Sequence, residues 1–176
     1  MNHPPEEFLG YWLFYAQRNL EYVFADVLKA SCLEHGKSYV VTPPQWGVLA
    51  LLGQQDGLTI SGLSQARAID PPTVTGIVTR LEQSGLVERR HDREDRRVVK
   101  VFLTGEGRDS MRFLPAVVAT FNATLTRGIS DTEQRELIAK LQKIIANLTA
   151  ARPGVADRFG LLPDSLRLES REKEER

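Results

Sequence analysis

A single cysteine, Cys32, excludes an internal disulfide framework and suits a reducing compartment. The chain has no run of about eighteen apolar residues, so no membrane-spanning helix is expected. Its start, MNHPPEEF, is acidic and lacks the basic opening of a secretory signal, which makes a cytoplasmic location the expectation. Three histidines, His3, His35 and His91, share no ligand-like spacing, so no metal site is expected. Neither a nucleophile–base pair nor a glycine-rich phosphate loop is present, and the expectation is a non-enzyme without a cofactor. Net charge is missing as well, because 23 basic residues cancel 23 acidic ones. That disfavours binding to nucleic acid by overall attraction, but leaves open a protein that concentrates a few arginines at defined points.

What the chain does have is helical periodicity. Residues 6–33 read as one long helix opened by Pro4-Pro5 and Glu6-Glu7, with an aromatic-rich band that includes Phe8, Tyr11, Trp12, Tyr15 and Phe24. QWGVLALLGQQ reads as a short buried helix capped by Thr42, with Pro43 and Pro44 in its first turn. Thr59 suits the cap of a second short helix carrying Ile60, Leu63 and Ala66. A third helix follows Asp70, with Val74, Ile77, Val78 and Leu81 at i, i+3, i+4 and i+7, and Gly85 placed to end it. LVERR and VVKVFLT read as two antiparallel strands. Residues 105–127 then read as a helix that Pro115 kinks or divides. A last helix, capped by Ser130 or Asp131, carries Leu137, Ile138, Leu141, Ile144, Ile145 and Leu148. Beyond Arg152 the pattern fades into a polar end.

Two stretches carry the chemistry. The helix after Asp70 leaves Thr73, Thr75, Gly76, Thr79 and Arg80 away from its apolar stripe, with no acid before Glu82. Threonine and glycine are weak helix formers, but small, hydroxyl-bearing or basic residues favour close approach to a phosphate-lined groove. The stretch HDREDRR joins the two strands. A solvated turn accounts for its charge but not for its place behind that threonine-rich face. Arginines at such a tip can contact phosphate or enter a narrow groove, with Asp95 holding them. Three short helices followed by a hairpin is the order a winged helix-turn-helix needs.

The blocks QWGVLALL, LTISGLSQA, PPTVTGIVTRLEQSGLVERR and DREDRRVVKVFLTGEGR resemble successive blocks of the MarR family of bacterial transcription regulators. The resemblance spans residues 8–150 and implies a mainly α fold with a small β-hairpin: a winged helix-turn-helix with a helical dimerisation module. It implies an N-terminal dimerisation helix over 6–38, a DNA-binding domain over 42–104, dimerisation helices over 105–152 and a tail over 153–176. Carried onto this chain, Thr73, Thr75, Gly76 and Thr79 become candidates for base or phosphate contact and Arg80 for a backbone contact. Asp95, Arg96 and Arg97 match the wing signature, with Arg97 reaching the minor groove, Arg96 near the backbone and Asp95 positioning both. Gly76 replaces the larger polar residue of many members, and Pro71-Pro72 is a stiff start; both bear on the operator sequence.

The implied partners are a second copy of the chain, palindromic double-stranded DNA, and a small effector: an aromatic carboxylate, a phenolic compound or an acyl-CoA thioester. Tyr11, Trp12, Tyr15, Arg18 and Trp46 are the candidate effector contacts, Arg18 for a carboxylate; core or interface packing is the alternative for each. Peroxide-sensing members carry a cysteine early in the first helix, whereas the comparable stretch here, YWLFYAQR, has none, and Cys32 reads as a buried thiol. The expectation is a repressor released by its effector. The alternatives are an activator or dual regulator, and a winged-helix adaptor that binds protein but not DNA.

Overall fold

Helix formation begins later than the proline pair suggests. In the computed structural model, which describes residues 4–152, Pro5–Glu7 form one 3-10 turn, and Phe8 is then extended at φ −96° and ψ 128°. The first long helix, α1, spans Leu9–Glu34. The expected start at residue 6 is thereby corrected: the prolines and acids belong to a separate turn. Trp12 Nε1 donates to the Glu6 carbonyl at 2.9 Å, holding that turn against the helix. The polar tail expected over 153–176 lies outside the described residues.

Three short helices follow, each started by its own cap. Helix α2 spans Pro43–Gln54, and Gln45 Oε1 accepts from both the Thr42 amide (2.9 Å) and hydroxyl (3.0 Å). A two-residue strand, β1 (Leu58–Thr59), leads into α3 (Ile60–Arg67), where Thr59 Oγ1 accepts from the Gly62 amide at 3.0 Å. Helix α4, Pro71–Gln83, is capped by Asp70 Oδ1 on the Thr73 amide at 2.9 Å. It ends in a Schellman arrangement: Gly85 takes φ +70°, its amide bonds the Glu82 carbonyl, and the Leu86 amide bonds that of Leu81.

Strands β2 (Val87–His91) and β3 (Val99–Leu103) form the expected hairpin, in register from Val87↔Leu103 to His91↔Val99. β1 adds to the free edge of β3, making a three-stranded sheet of order β1-β3-β2. Sequence reasoning missed β1 because two residues are too few to show alternation. Asp56, just before it, supports the join: its carboxylate accepts from the Leu103 amide and from Arg108, each at 2.9 Å.

The core lies where α2, α3 and α4 meet the sheet. Val74, Ile77, Val78 and Leu81 are all within 1% of full burial, so the stripe read from spacing is the packed face. Burial of each such side chain is worth about 1.5–3 kcal/mol. Helix α5 spans Gly105–Leu125 without division, retaining Pro115 in its interior. A Cβ on Gly107 would lie 2.0 Å from the Leu86 carbonyl oxygen, so only glycine lets α5 start this close to the hairpin base. Helix α6, Asp131–Ala151, is capped by Ser130 and buries no residue within the protomer. Among the described residues no helix is long and apolar enough to cross a membrane.

Candidate nucleic-acid interface and effector cavity

With its apolar stripe buried, α4 presents Thr73, Thr75 and Arg80 as exposed residues and Gly76 and Thr79 as half-buried ones. The threonine hydroxyl protons are already committed. Thr73 donates to Asp70 Oδ2 (2.7 Å), Thr75 to the Pro71 carbonyl (2.8 Å) and Thr79 to the Thr75 carbonyl (2.8 Å). Back-bonding of this kind fixes each rotamer, leaving the methyl group and the oxygen's remaining lone pair to face a ligand. A Cβ on Gly76 would find only Arg80 Nη2, at 3.9 Å. The helix therefore has a low, polar face whose one cation is Arg80.

Beside that face stands the hairpin. Arg89 on β2 pairs with Glu82, donates to Thr79 Oγ1 at 3.0 Å and reaches the Thr75 carbonyl at 3.4 Å. One guanidinium thus ties the wing's first strand to α4, so the two move as a unit. Sequence reasoning did not single out Arg89. The only signal was an opposite charge seven residues earlier, across a turn whose geometry decides whether the pair meets.

At the tip, Asp92 is the organiser. Its Oδ1 accepts from the amides of Glu94 (2.9 Å) and Asp95 (3.1 Å), and its Oδ2 pairs with Lys100 on β3 at 2.5 Å. The lysine and the two amides hold the carboxyl down at about 2. His91 Nδ1 lies 2.8 Å from the Arg96 carbonyl. The first half of HDREDRR is thus an ordered turn in which Asp92 is half-buried while His91, Arg93 and Glu94 are exposed. Asp95 supports the second half through the backbone, accepting from the Arg97 amide at 2.9 Å while its carbonyl takes the Val98 amide. Its carboxylate forms no ion pair with Arg96 or Arg97. Arg93, Arg96 and Arg97 are exposed, and none is in an ion pair among the described residues. The tip is an ordered backbone loop that carries three uncommitted cations.

The aromatic residues of α1 divide into two groups. Tyr11, Tyr15, Arg18 and Tyr22 recur at i, i+4, i+7 and i+11. They form a stripe of their own, with Tyr11 and Tyr15 ring centroids 4.6 Å apart and Arg18 5.5 Å over the Tyr22 ring. Trp12 meets Tyr11 edge-on at 5.4 Å and remains exposed. About one residue away, or about 100° around the helix, Gln17, Leu20, Glu21 and Phe24 face a cavity of about 580 Å³. Its other walls include Trp46 of α2, Arg67 of α3 and Phe121 of α5. Of the five candidate effector contacts, Trp46 borders this cavity and the other four do not. Arg67 was not anticipated, since a lone arginine in QARAID gives no hint of what it faces. A second, apolar cleft among α1, α5 and α6 is bounded by Leu13, Leu20, Val23, Leu125 and Leu141. Cys32 is fully buried, and burial pushes its thiol up, away from the reactive thiolate.

A family model described as MarR family matches residues 41–99. The chain is 33% identical over 122 residues to the HTH-type transcriptional repressor MdtR of Bacillus subtilis (strain 168), covering 69% of this chain and 76% of that protein. Two further curated regulators are matched over 55% and 46% of their own lengths. Among solved structures, BpsR of Bordetella bronchiseptica, whose DNA binding is regulated by 6-hydroxynicotinic acid, superposes with a TM-score of 0.69. It is 26% identical, over 82% of this chain and 97% of that one. The transcriptional repressor CouR, bound to a 23-mer DNA duplex, gives a TM-score of 0.67 at 28% identity, over 79% and 93%.

Proposed function

The chain belongs to the MarR family and is a MarR-type DNA-binding transcription regulator, and from that premise we propose that it is a homodimeric repressor, released from a palindromic operator by a small ligand. The observation that carries this reading is the coupling of α4 to the wing. One low, acid-poor helix face and one tip bearing uncommitted arginines are locked together by Arg89. In this reading α4 enters the major groove, with Thr73, Thr75, Gly76 and Thr79 against base edges or phosphates and Arg80 on the backbone. Arg97 enters the adjacent minor groove, Arg96 lies along the phosphates, and Asp95 holds the loop that aims them. Residues 42–104 form the DNA-binding unit, and the helices over 6–38 and 105–152 supply the dimer contacts. The repressive sign is supported by MdtR and CouR, both repressors. The small effector is supported by BpsR and by the cavity beside Trp46.

Titration of a duplex from the gene's own upstream region tests the assignment. Arg97→Ala is expected to weaken binding by about 10–100-fold at physiological salt and to lower the salt slope by about one. Unchanged affinity would remove Arg97 from the interface. Failure of the parent protein to bind any such duplex would remove the repressor reading with it.

A further inference from the structure

The first turn of α4 has no hydrogen-bond donor to give. A helix N-terminus ordinarily presents unpaired amides to whatever it faces. Here the first two residues, Pro71 and Pro72, carry no N–H. The Thr73 amide bonds Asp70 Oδ1 at 2.9 Å, and the Val74 amide bonds the Asp70 carbonyl at 3.1 Å. The hydroxyl protons are spent as well. Thr73 faces a carboxylate oxygen and Thr75 a carbonyl oxygen, so in each pair only the threonine can supply the proton. Gly76 has no side chain, and the one cation of the helix, Arg80, lies farther along it.

What this end of the helix presents is carbon and lone pairs. Pro72, Thr73 and Thr75 are exposed. Pro72 and Gly76 stand one above the other on the helix surface, with Thr73 and Thr75 on either side. Its hydrogen bond fixes the rotamer of each threonine, and the methyl group and remaining lone pairs stay available. In the major groove an A·T pair and a G·C pair each show two acceptors and one amino donor, and A·T shows the thymine methyl group in addition. A face that donates nothing leaves the acceptors of either pair unmatched. Its threonine oxygens take the amino donor of either pair. The two pairs then differ in one feature, the methyl group, which a second methyl group can cover.

We propose that Thr73 and Thr75 are specificity-determining residues that read thymine through its C5-methyl group rather than through hydrogen bonds. The proposal rests on the DNA-binding reading above, in which α4 enters the major groove, and gives it a base chemistry. The lone pairs of the two hydroxyls accept from the amino group of adenine or cytosine alike, and so position the helix without choosing the base. The choice falls to the methyl contact. Gly76, between the two threonines and without a side chain, lets the helix come close enough for methyl groups to touch. Cytosine methylated at C5 presents the same group in the same place, so it stands in for thymine at these positions.

Selection from a duplex library with randomised half-sites, using the full chain, supplies the operator to be tested. Each thymine of the selected half-site is then replaced in turn by uracil, which lacks only the methyl group, by cytosine opposite guanine, and by 5-methylcytosine opposite guanine. At one or more positions uracil and cytosine are each expected to weaken binding about fourfold per half-site, the value of one buried methyl group. There 5-methylcytosine is expected to restore affinity to within about twofold. The paired variant Thr73→Ser with Thr75→Ser keeps both hydroxyls and loses both methyls. It is expected to bind the thymine and uracil duplexes alike, with helix content unchanged. The proposal is overturned by thymine and uracil bound equally by the parent at every position, by 5-methylcytosine bound no better than cytosine, or by uracil discrimination that survives in the paired variant. The comparisons between duplexes use the parent protein alone, so they carry the test should the variant fail to fold. Failure to select any sequence would remove the operator reading and this proposal with it, whereas selection without uracil sensitivity removes only the methyl contact.

Discussion

Two carboxylates divide the wing tip between them: Asp92 accepts the Glu94 and Asp95 amides and reaches Lys100, and Asp95 accepts the Arg97 amide. Asp92 titrates at about 2 in the folded chain against an ordinary value of 3.8. Between those values the folded form binds fewer protons than the unfolded one. The stabilisation from Asp92 is therefore fully present above its ordinary value and fades as pH falls through about 2. Relative to the intrinsic rate at each pH, amide hydrogen exchange at Glu94 and Asp95 is expected to stay slow from pH 7 down to about 4 and to quicken toward pH 2. Asp92→Ala is expected to quicken it at neutral pH, and to weaken operator binding several-fold by loosening the loop that presents Arg96 and Arg97. Equal exchange in the variant and the parent would show that the loop holds its shape without this carboxylate. Because the side chain stays partly open to solvent and its bonds lie within the wing tip, the effect is local order, and the melting temperature is expected to move little.

Helix α4 shows at the scale of an element what the sequence could and could not reveal. Its cap, its stripe and its glycine stop are all set by contacts within a few residues, and Asp70, Val74 to Leu81 and Gly85 do what their positions imply. What lies across the chain was not legible. Arg89 reaching Thr79, β1 pairing with β3, and Arg67 lying over Gly47 depend on how distant segments meet. The candidate effector residues illustrate the same limit, since helical spacing gives the two stripes of α1 but not which one faces α2 and α5. Gly76 separates stability from function on this helix. Gly76→Ala is expected to stabilise by up to about 1 kcal/mol, raising the melting temperature by about 2–4 °C, because the added methyl meets nothing closer than Arg80 at 3.9 Å. If α4 lies in the major groove, the same methyl stands where the bases approach, and operator affinity is expected to fall by about tenfold. A more stable variant that binds the operator as well as the parent would place the groove elsewhere.

Across the described residues, whole helix faces of apolar side chains are left uncovered in a single copy of the chain. α6 exposes Leu137, Ile138, Leu141, Ile145 and Leu148, while α1 exposes Trp12, Leu20 and Val23. An exposed patch on this scale marks an interface. Both helices lie outside the DNA-binding unit proposed above, so a second copy can cover them without obstructing α4 or the wing. A two-fold pair would carry two recognition helices, as a palindrome with half-sites about one helical turn apart requires. One copy has one α4 and one wing, which in that pairing would cover half a site. Dimerisation would then set operator affinity, because the second half-site binds at the effective concentration fixed by the first. Leu148→Glu tests this with little risk to the protomer, since Leu148 is 60% exposed and its burial would come from the partner. Sedimentation is expected to show the variant at half the parent's mass at micromolar concentration, with helix content retained. Its operator affinity is expected to fall by about 100-fold or more, while the salt slope drops toward that of a single half-site. A variant that keeps the parent's mass would move the interface off the end of α6. A monomeric variant that keeps full affinity would show that one α4 and one wing read the whole operator.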